Sequence, residues 1–125
     1  ISELNLMNNV FLFGFEVNPW AYIYNSDVYL STSRWEGFHM TIVESMACGV
    51  YPIVSDCNYG PNEIIKNEKM GKLIPVQSNK QFVNELFLFL YKHKTGYKYN
   101  ACIERSKFFK TSIIVEQYSK LFKSI

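Results

Sequence analysis

The sequence predicts an α/β fold, a parallel sheet of about four strands with flanking helices. Three observations carry that prediction. Short apolar runs rich in β-branched and aromatic residues recur along the chain. Helical patterns separate them, as in βαβ units. Turn residues, among them Gly14, Gly49 and Gly60-Pro61, punctuate the joins. At 125 residues with 48% apolar side chains, the chain is one domain's worth of material with a modest core.

The elements follow in order. Val10-Phe11-Leu12-Phe13, ended by Gly14, reads as a first buried strand. Asn18 to Tyr24 holds Pro19, suited to a first helical turn, and reads as a short helix. Val28-Tyr29-Leu30-Ser31 is a second strand. Thr41 to Cys48 is a helix stopped by Gly49. Tyr51-Pro52-Ile53-Val54 is a third strand, its proline near the start where a ladder donor is least missed. Asp56 to Pro61 is a polar turn, Asn62 to Lys66 a helical turn, and Gly71 to Pro75 a short fourth strand. Phe82, Leu86, Phe89 and Leu90 make Asn79 to Lys92 an amphipathic helix. Gly96 breaks the chain before two more helices, Asn100 to Phe109 and Ser112 to Ser124. Ile114, Tyr118, Leu121 and Phe122 share a face of the last. A parallel sheet wants both faces covered and usually more strands, so one part of the sheet is expected to lie outside these residues.

The formal charge of +2 is too small to argue for nucleic acid. Lys92, Lys94, Lys98, Lys107 and Lys110 crowd one region, whose ordinary reading is a solvated face. Cys48, Cys57 and Cys102 form no disulfide framework and no metal spacing. They fit a reducing compartment. No apolar run approaches a membrane span.

The chemistry concentrates after the second strand, in Ser33-Arg34-Trp35-Glu36-Gly37-Phe38-His39-Met40-Thr41. Loops at the carboxyl ends of parallel strands face ligands. Glu36 and Glu44 stand in an E-x7-E spacing, and carboxylates suit vicinal hydroxyls of a sugar or ribose. Glu36 has no structural role to explain it. Glu44 has one, since Thr41-Ile42-Val43-Glu44 is a capping-box pattern; its two readings stand level. The loop ends at a helix N-terminus, where free amides and the dipole favour a diphosphate. His39 either donates to phosphate or packs. His93 reads as compensation of a helix C-terminus, Asp27 as a turn residue, and Glu63 as a helix start. No Ser-His-Asp or Cys-His pair is visible.

Together these pieces resemble the C-terminal domain of GT-B glycosyltransferases of the group 1 (family 4) type. The resemblance rests on Glu36-Gly37-Phe38 and Glu44 to Gly49. Pro52 to Asp56, Gly60-Pro61-Asn62-Glu63-Ile64-Ile65 and Gly71 to Ile74 follow at the family's intervals. Val10 to Gly14 and Ser26 to Leu30 fit upstream. It covers roughly residues 8 to 90. It implies a Rossmann-like sheet, the second part of such a domain, with residues 1–125 a single, truncated nucleotide-sugar-binding unit. It further implies a retaining transfer of a hexosyl or N-acetylhexosaminyl group from a nucleotide sugar, commonly a UDP-sugar. The acceptor would be a saccharide or a lipid-linked one, in cell-envelope polysaccharide or lipopolysaccharide synthesis.

The same resemblance implies site residues. Glu36 would lie against the donor sugar as the catalytic residue. Gly37, Phe38, His39, Met40 and Thr41 would meet the sugar and diphosphate, Glu44 the ribose, and Gly14 and Phe15 the base. No metal or other cofactor is expected. The setting would be cytoplasmic, peripheral at the inner face of the membrane. The family's basic pair for the diphosphate and its acceptor domain fall outside the sequence, so the 125 residues alone are expected to be inactive. Turnover of a nucleotide sugar by them would overturn that expectation. The last helix is expected to pack locally or to mediate self-association; a strictly monomeric profile at high concentration counts against the latter. A non-catalytic sugar-nucleotide-binding or interaction module on the same scaffold is the alternative, and a sugar-nucleotide epimerase a third. The glutamates speak against the former, and the catalytic carboxylates of the latter are not visible.

Overall fold

The computed structural model describes residues 1–93 and 95–124. Lys94, one member of the basic cluster read from the sequence, lies outside the described residues. Among them are three strands, β1 (Val28–Ser31), β2 (Tyr51–Asp56) and β3 (Lys72–Pro75). They form one parallel sheet in the order β1-β2-β3. The helices are α1 (Trp20–Tyr24), α2 (Met40–Ala47), α3 (Pro61–Ile64), α4 (Asn79–Lys92), α5 (Asn100–Ser106) and α6 (Thr111–Lys123). Single 3-10 turns span Ser2–Leu4 and Lys107–Phe109.

The central strand shows why the apolar runs were readable. Covered on both faces, β2 is buried from Tyr51 to Ser55 and needs a continuous rather than alternating pattern. Its Pro52 is the second residue, opposite Tyr29 of β1. The core gathers Ile53 and Val54 of β2, Ile42 and Met46 of α2, Ile64 of α3 and Ile74 of β3. Each such side chain contributes about 1.5–3 kcal/mol by leaving water. Gly49, at φ +71°, ends α2 as expected and turns the chain into β2.

The sheet has three strands, not four. Val10 to Phe13 has strand composition but no strand neighbour, and Leu12 is 84% exposed. A strand exists through its ladder, and composition cannot supply a partner. The segment is held instead through Phe13, whose ring lies 4.7 Å from that of Tyr22 in α1. β1 is correspondingly an edge, and its Leu30 is 41% exposed.

The C-terminal helices divide. α5 packs on α2, whereas the Tyr118, Leu121 and Phe122 side chains of α6 remain exposed. The lysine cluster is partly engaged: Lys107 pairs with Glu104 at 2.5 Å, and Lys98 donates to Tyr24 O while lying over the Tyr24 ring. No described helix is long and apolar enough to cross a membrane.

Candidate functional site

The loop between β1 and α2 is shaped by its last residue. His39 takes a left-handed conformation, φ +62° and ψ +59°, and is the N-cap of α2. Histidine is among the non-glycine residues that tolerate this region. Here the ring is compensated by burial, with the residue only 8% exposed. Its Nε2 lies 3.3 Å from the Tyr29 hydroxyl and 3.5 Å from Glu36 Oε1. Its Nδ1 is buried without a partner among the described residues.

The helix therefore starts at Met40, one residue before the predicted Thr41. That shift removes the capping box. Thr41 lies inside the helix, and its Oγ1 is 2.7 Å from the Tyr29 hydroxyl instead of capping an amide. Glu44 falls beyond the first turn, which carries no acidic side chain. The structural reading of Glu44 as a first-turn cap does not hold. The first helical amide with an outside partner is Ile42, bonded to His39 O at 3.1 Å. The amides of Met40 and Thr41 precede it and remain available to a ligand at the positive end of the helix.

Two neighbours brace this loop. The turn after β2 rises against it at Gly60 (φ +89°). A Cβ there would stand 2.7 Å from both Gly37 O and Phe38 O. Only a residue without a side chain permits that approach. On the other side, Phe38 packs edge-on to Phe109 with 5.3 Å between ring centroids. Arg105 stacks over Phe109 at 4.8 Å and donates to Ile64 O and Glu63 O at 2.8 and 2.6 Å. It thus satisfies carbonyls at the C-terminus of α3 and ties α5 to the Gly60 turn. Cys57 is buried in the same turn. Burial raises its thiol pKa, with a smaller push from the Glu36 carboxylate.

The structure thus brings together Glu36, Gly37, Phe38, His39, Met40, Thr41 and, one turn further, Glu44. Gly14 and Phe15 are not drawn in by any hydrogen bond or ring contact among the described residues; Phe15 is 92% exposed. Sequence reasoning missed Tyr29 and Arg105. The signal for Tyr29 was a hydroxyl in mid-strand with no local polar partner. His93 does more than face a helix end: its ring stacks on Phe89 with 4.6 Å between centroids. Asp27 is a turn residue, accepting from Gly96 N at 2.6 Å.

Burial holds the His39 pKa below its ordinary 6.5, opposed in part by Glu36. The imidazole is neutral at pH 7 and accepts from Tyr29 or donates to Glu36. A depressed histidine pKa means that the unfolded chain takes up its proton first as pH falls. Stability is therefore expected to decline as pH drops below 6.5 towards the folded value. Urea midpoints across this range should show the slope in the parent chain and a flatter one in His39→Gln.

The geometry can be set beside known proteins. A family model described as "Glycosyl transferases group 1" matches residues 1–107. An N-acetylgalactosamine-N,N'-diacetylbacillosaminyl-diphospho-undecaprenol 4-alpha-N-acetylgalactosaminyltransferase of Campylobacter jejuni is 30% identical over 115 residues, covering 90% of this chain and 32% of its own. A lipopolysaccharide 1,6-galactosyltransferase of Salmonella typhimurium is 35% identical over 88 residues, 67% of this chain and 24% of its own. A crystal structure of a TarM variant from S. aureus, in complex with Fondaparinux, alpha-GlcNAc-glycerol and UDP, superposes with a TM-score of 0.86 at 25% identity. It covers 98% of this chain and 25% of that one. The chain thus spans a third or less of the length of these relatives. With the family model covering most of the sequence and the α/β sheet shared with solved relatives, the chain belongs to the group 1 glycosyl transferases.

Proposed function

We propose that residues 1–125 are the nucleotide-sugar-binding unit of a retaining glycosyltransferase that uses a UDP-sugar, with a hexose or N-acetylhexosamine as the transferred group. One observation carries the reading: Glu36 and the free amides of Met40 and Thr41 meet in a single braced loop at the end of β1, with Glu44 one turn on. Glu36 stands beside the donor sugar. As the bond from sugar to diphosphate breaks, charge grows on the diphosphate, and the N-terminus of α2 meets it with oriented amides. That supplies positive potential without a metal ion. Glu44 accepts hydrogen bonds from ribose hydroxyls. Gly37, Phe38 and His39 shape the wall, and Gly14 and Phe15 serve the base.

The relatives' names support the acceptor class: one names a diphospho-undecaprenol acceptor, another lipopolysaccharide, and the TarM complex holds UDP. We assign this chain a saccharide or lipid-linked acceptor in envelope polysaccharide synthesis, bound by a further domain of the full-length protein. The setting is cytoplasmic, at the inner face of the membrane, which cell fractionation checks. The isolated 125 residues are inactive, and the uncovered α6 face promotes their self-association.

The test is transfer by the full-length protein from a panel of nucleotide sugars. A UDP-hexose or UDP-N-acetylhexosamine should be the preferred donor. Glu44→Gln should raise the donor KM about tenfold, the loss of one charge-assisted contact. An unchanged donor KM in that variant removes Glu44 from the ribose site.

A further inference from the structure

A second site lies across the sheet from the α2 N-terminus. At the carboxyl ends of all three strands, under the first turn of α4, there is a cavity of about 540 Å³. Arg34 lines it, two residues before Glu36, and no ion pair engages its guanidinium among the described residues. Thr32, Ser55, Gln77 and Ser78 add polar groups, and no carboxylate is among the lining side chains.

Three features give the cavity a sign. The 14-residue helix α4 begins there, and Ser78, its N-cap, makes no side-chain cap. Its first-turn amides, from Asn79 to Gln81, have no acceptor within the helix. The same turn carries Lys80 and no acid, so the dipole's positive end is left unbalanced by its own side chains. The third feature is independent of the helix. Ser55 is 6% exposed, on the strand face that α4 covers, and lines the cavity. Its hydroxyl makes no hydrogen bond among the described residues. The hydroxyl is open to the cavity rather than sealed in the core, so it can donate to a group bound there.

From these observations we infer that the cavity binds a phosphate group, held by Arg34, the first-turn amides of α4 and the Ser55 hydroxyl. A planar guanidinium, several amides and a hydroxyl supply more donors than the two oxygens of a carboxylate use; three terminal phosphate oxygens match them. Arg34 and Glu36 share one loop, so the loop that carries the transfer carboxylate also carries the phosphate-binding guanidinium. The group is one carried by the acceptor. That last assignment rests on the transferase reading; the binding of phosphate does not.

The test is titration of the isotope-labelled chain with inorganic phosphate and with glycerol 1-phosphate, followed by amide NMR. Saturable shifts are expected at Ser55 and at Asn79 to Gln81. Arg34→Met, an exposed position, should weaken binding about tenfold and Ser55→Ala several-fold. Phosphate binding is read without donor or turnover, so failure of the transfer reading and failure of this site are separable. Absence of saturable shifts, shifts centred on residues 37–42, or an unaltered affinity in Arg34→Met would overturn the site. A tenfold preference for inorganic phosphate over the ester would overturn the acceptor as its carrier.

Discussion

Glu36→Gln in the full-length protein is expected to lower kcat for sugar transfer by about 10²- to 10³-fold, the scale for losing one preorganised electrostatic contact to a transition state. The exchange keeps shape and removes charge. The Glu36 side chain is 27% exposed and makes a polar contact with His39 Nε2 at 3.5 Å, which an amide oxygen can also satisfy. The fold should therefore survive with little change in melting temperature. The donor KM should move far less than kcat, since the diphosphate and ribose contacts remain. Full activity in this variant would sink the assignment of Glu36. Loss of activity with loss of folding would be exposed by the melting curve, and Glu36→Asp then separates the two effects, because it keeps the charge but withdraws it from the sugar.

Gly60→Ala is expected to lower stability by about 3 kcal/mol, from backbone strain and collision together. At φ +89° and ψ −68° the backbone is in a region that side chains rarely adopt. The added methyl would meet two carbonyl oxygens at 2.7 Å, and neither belongs to a flexible side chain. Either the Gly60 turn or the Gly37–Phe38 loop must yield. Since that loop precedes the α2 N-terminus, donor binding should fall along with stability. Urea unfolding checks the first effect, and UDP binding to the full-length protein checks the second. Asn58→Ala, at an exposed neighbour in the same turn, should change stability by less than about 0.5 kcal/mol. A Gly60→Ala protein equal to its parent on both counts would show that the two loops do not depend on this approach.

Much of the architecture was legible because the relevant signals are local. The apolar run of β2 announces a strand buried on both faces. The spacing of Phe82, Leu86 and Phe89 predicts α4 to its observed ends, Asn79–Lys92. Gly49 marks the end of α2. The misreadings share a different origin. Val10 to Phe13 carries the same local signal as β2, yet pairing depends on neighbours that no local pattern reveals. Thr41 and Glu44 matched a capping box, but the Tyr29 hydroxyl, placed over α2 only by the sheet, competes for Thr41. The approach of Gly60 to the loop is tertiary as well: the sequence shows a turn, and only the fold shows what the turn presses against. Within the candidate site, the loop residues were readable from type and spacing, whereas the supports Tyr29 and Arg105 were not.

The burial of Cys57 gives the site a built-in clock. Its thiol sits in the turn that backs the Glu36 loop and, held protonated by burial, is poorly nucleophilic while the turn is closed. Cys102, farther away in α5, is still more inert, its pKa pushed up to about 12. A maleimide offered at neutral pH would therefore alkylate Cys57 at a rate set by how often the turn swings out, and mass spectrometry would date each opening. Donor in the cleft should slow that clock and leave the labelling of Cys48, on the far end of α2, running at its own pace.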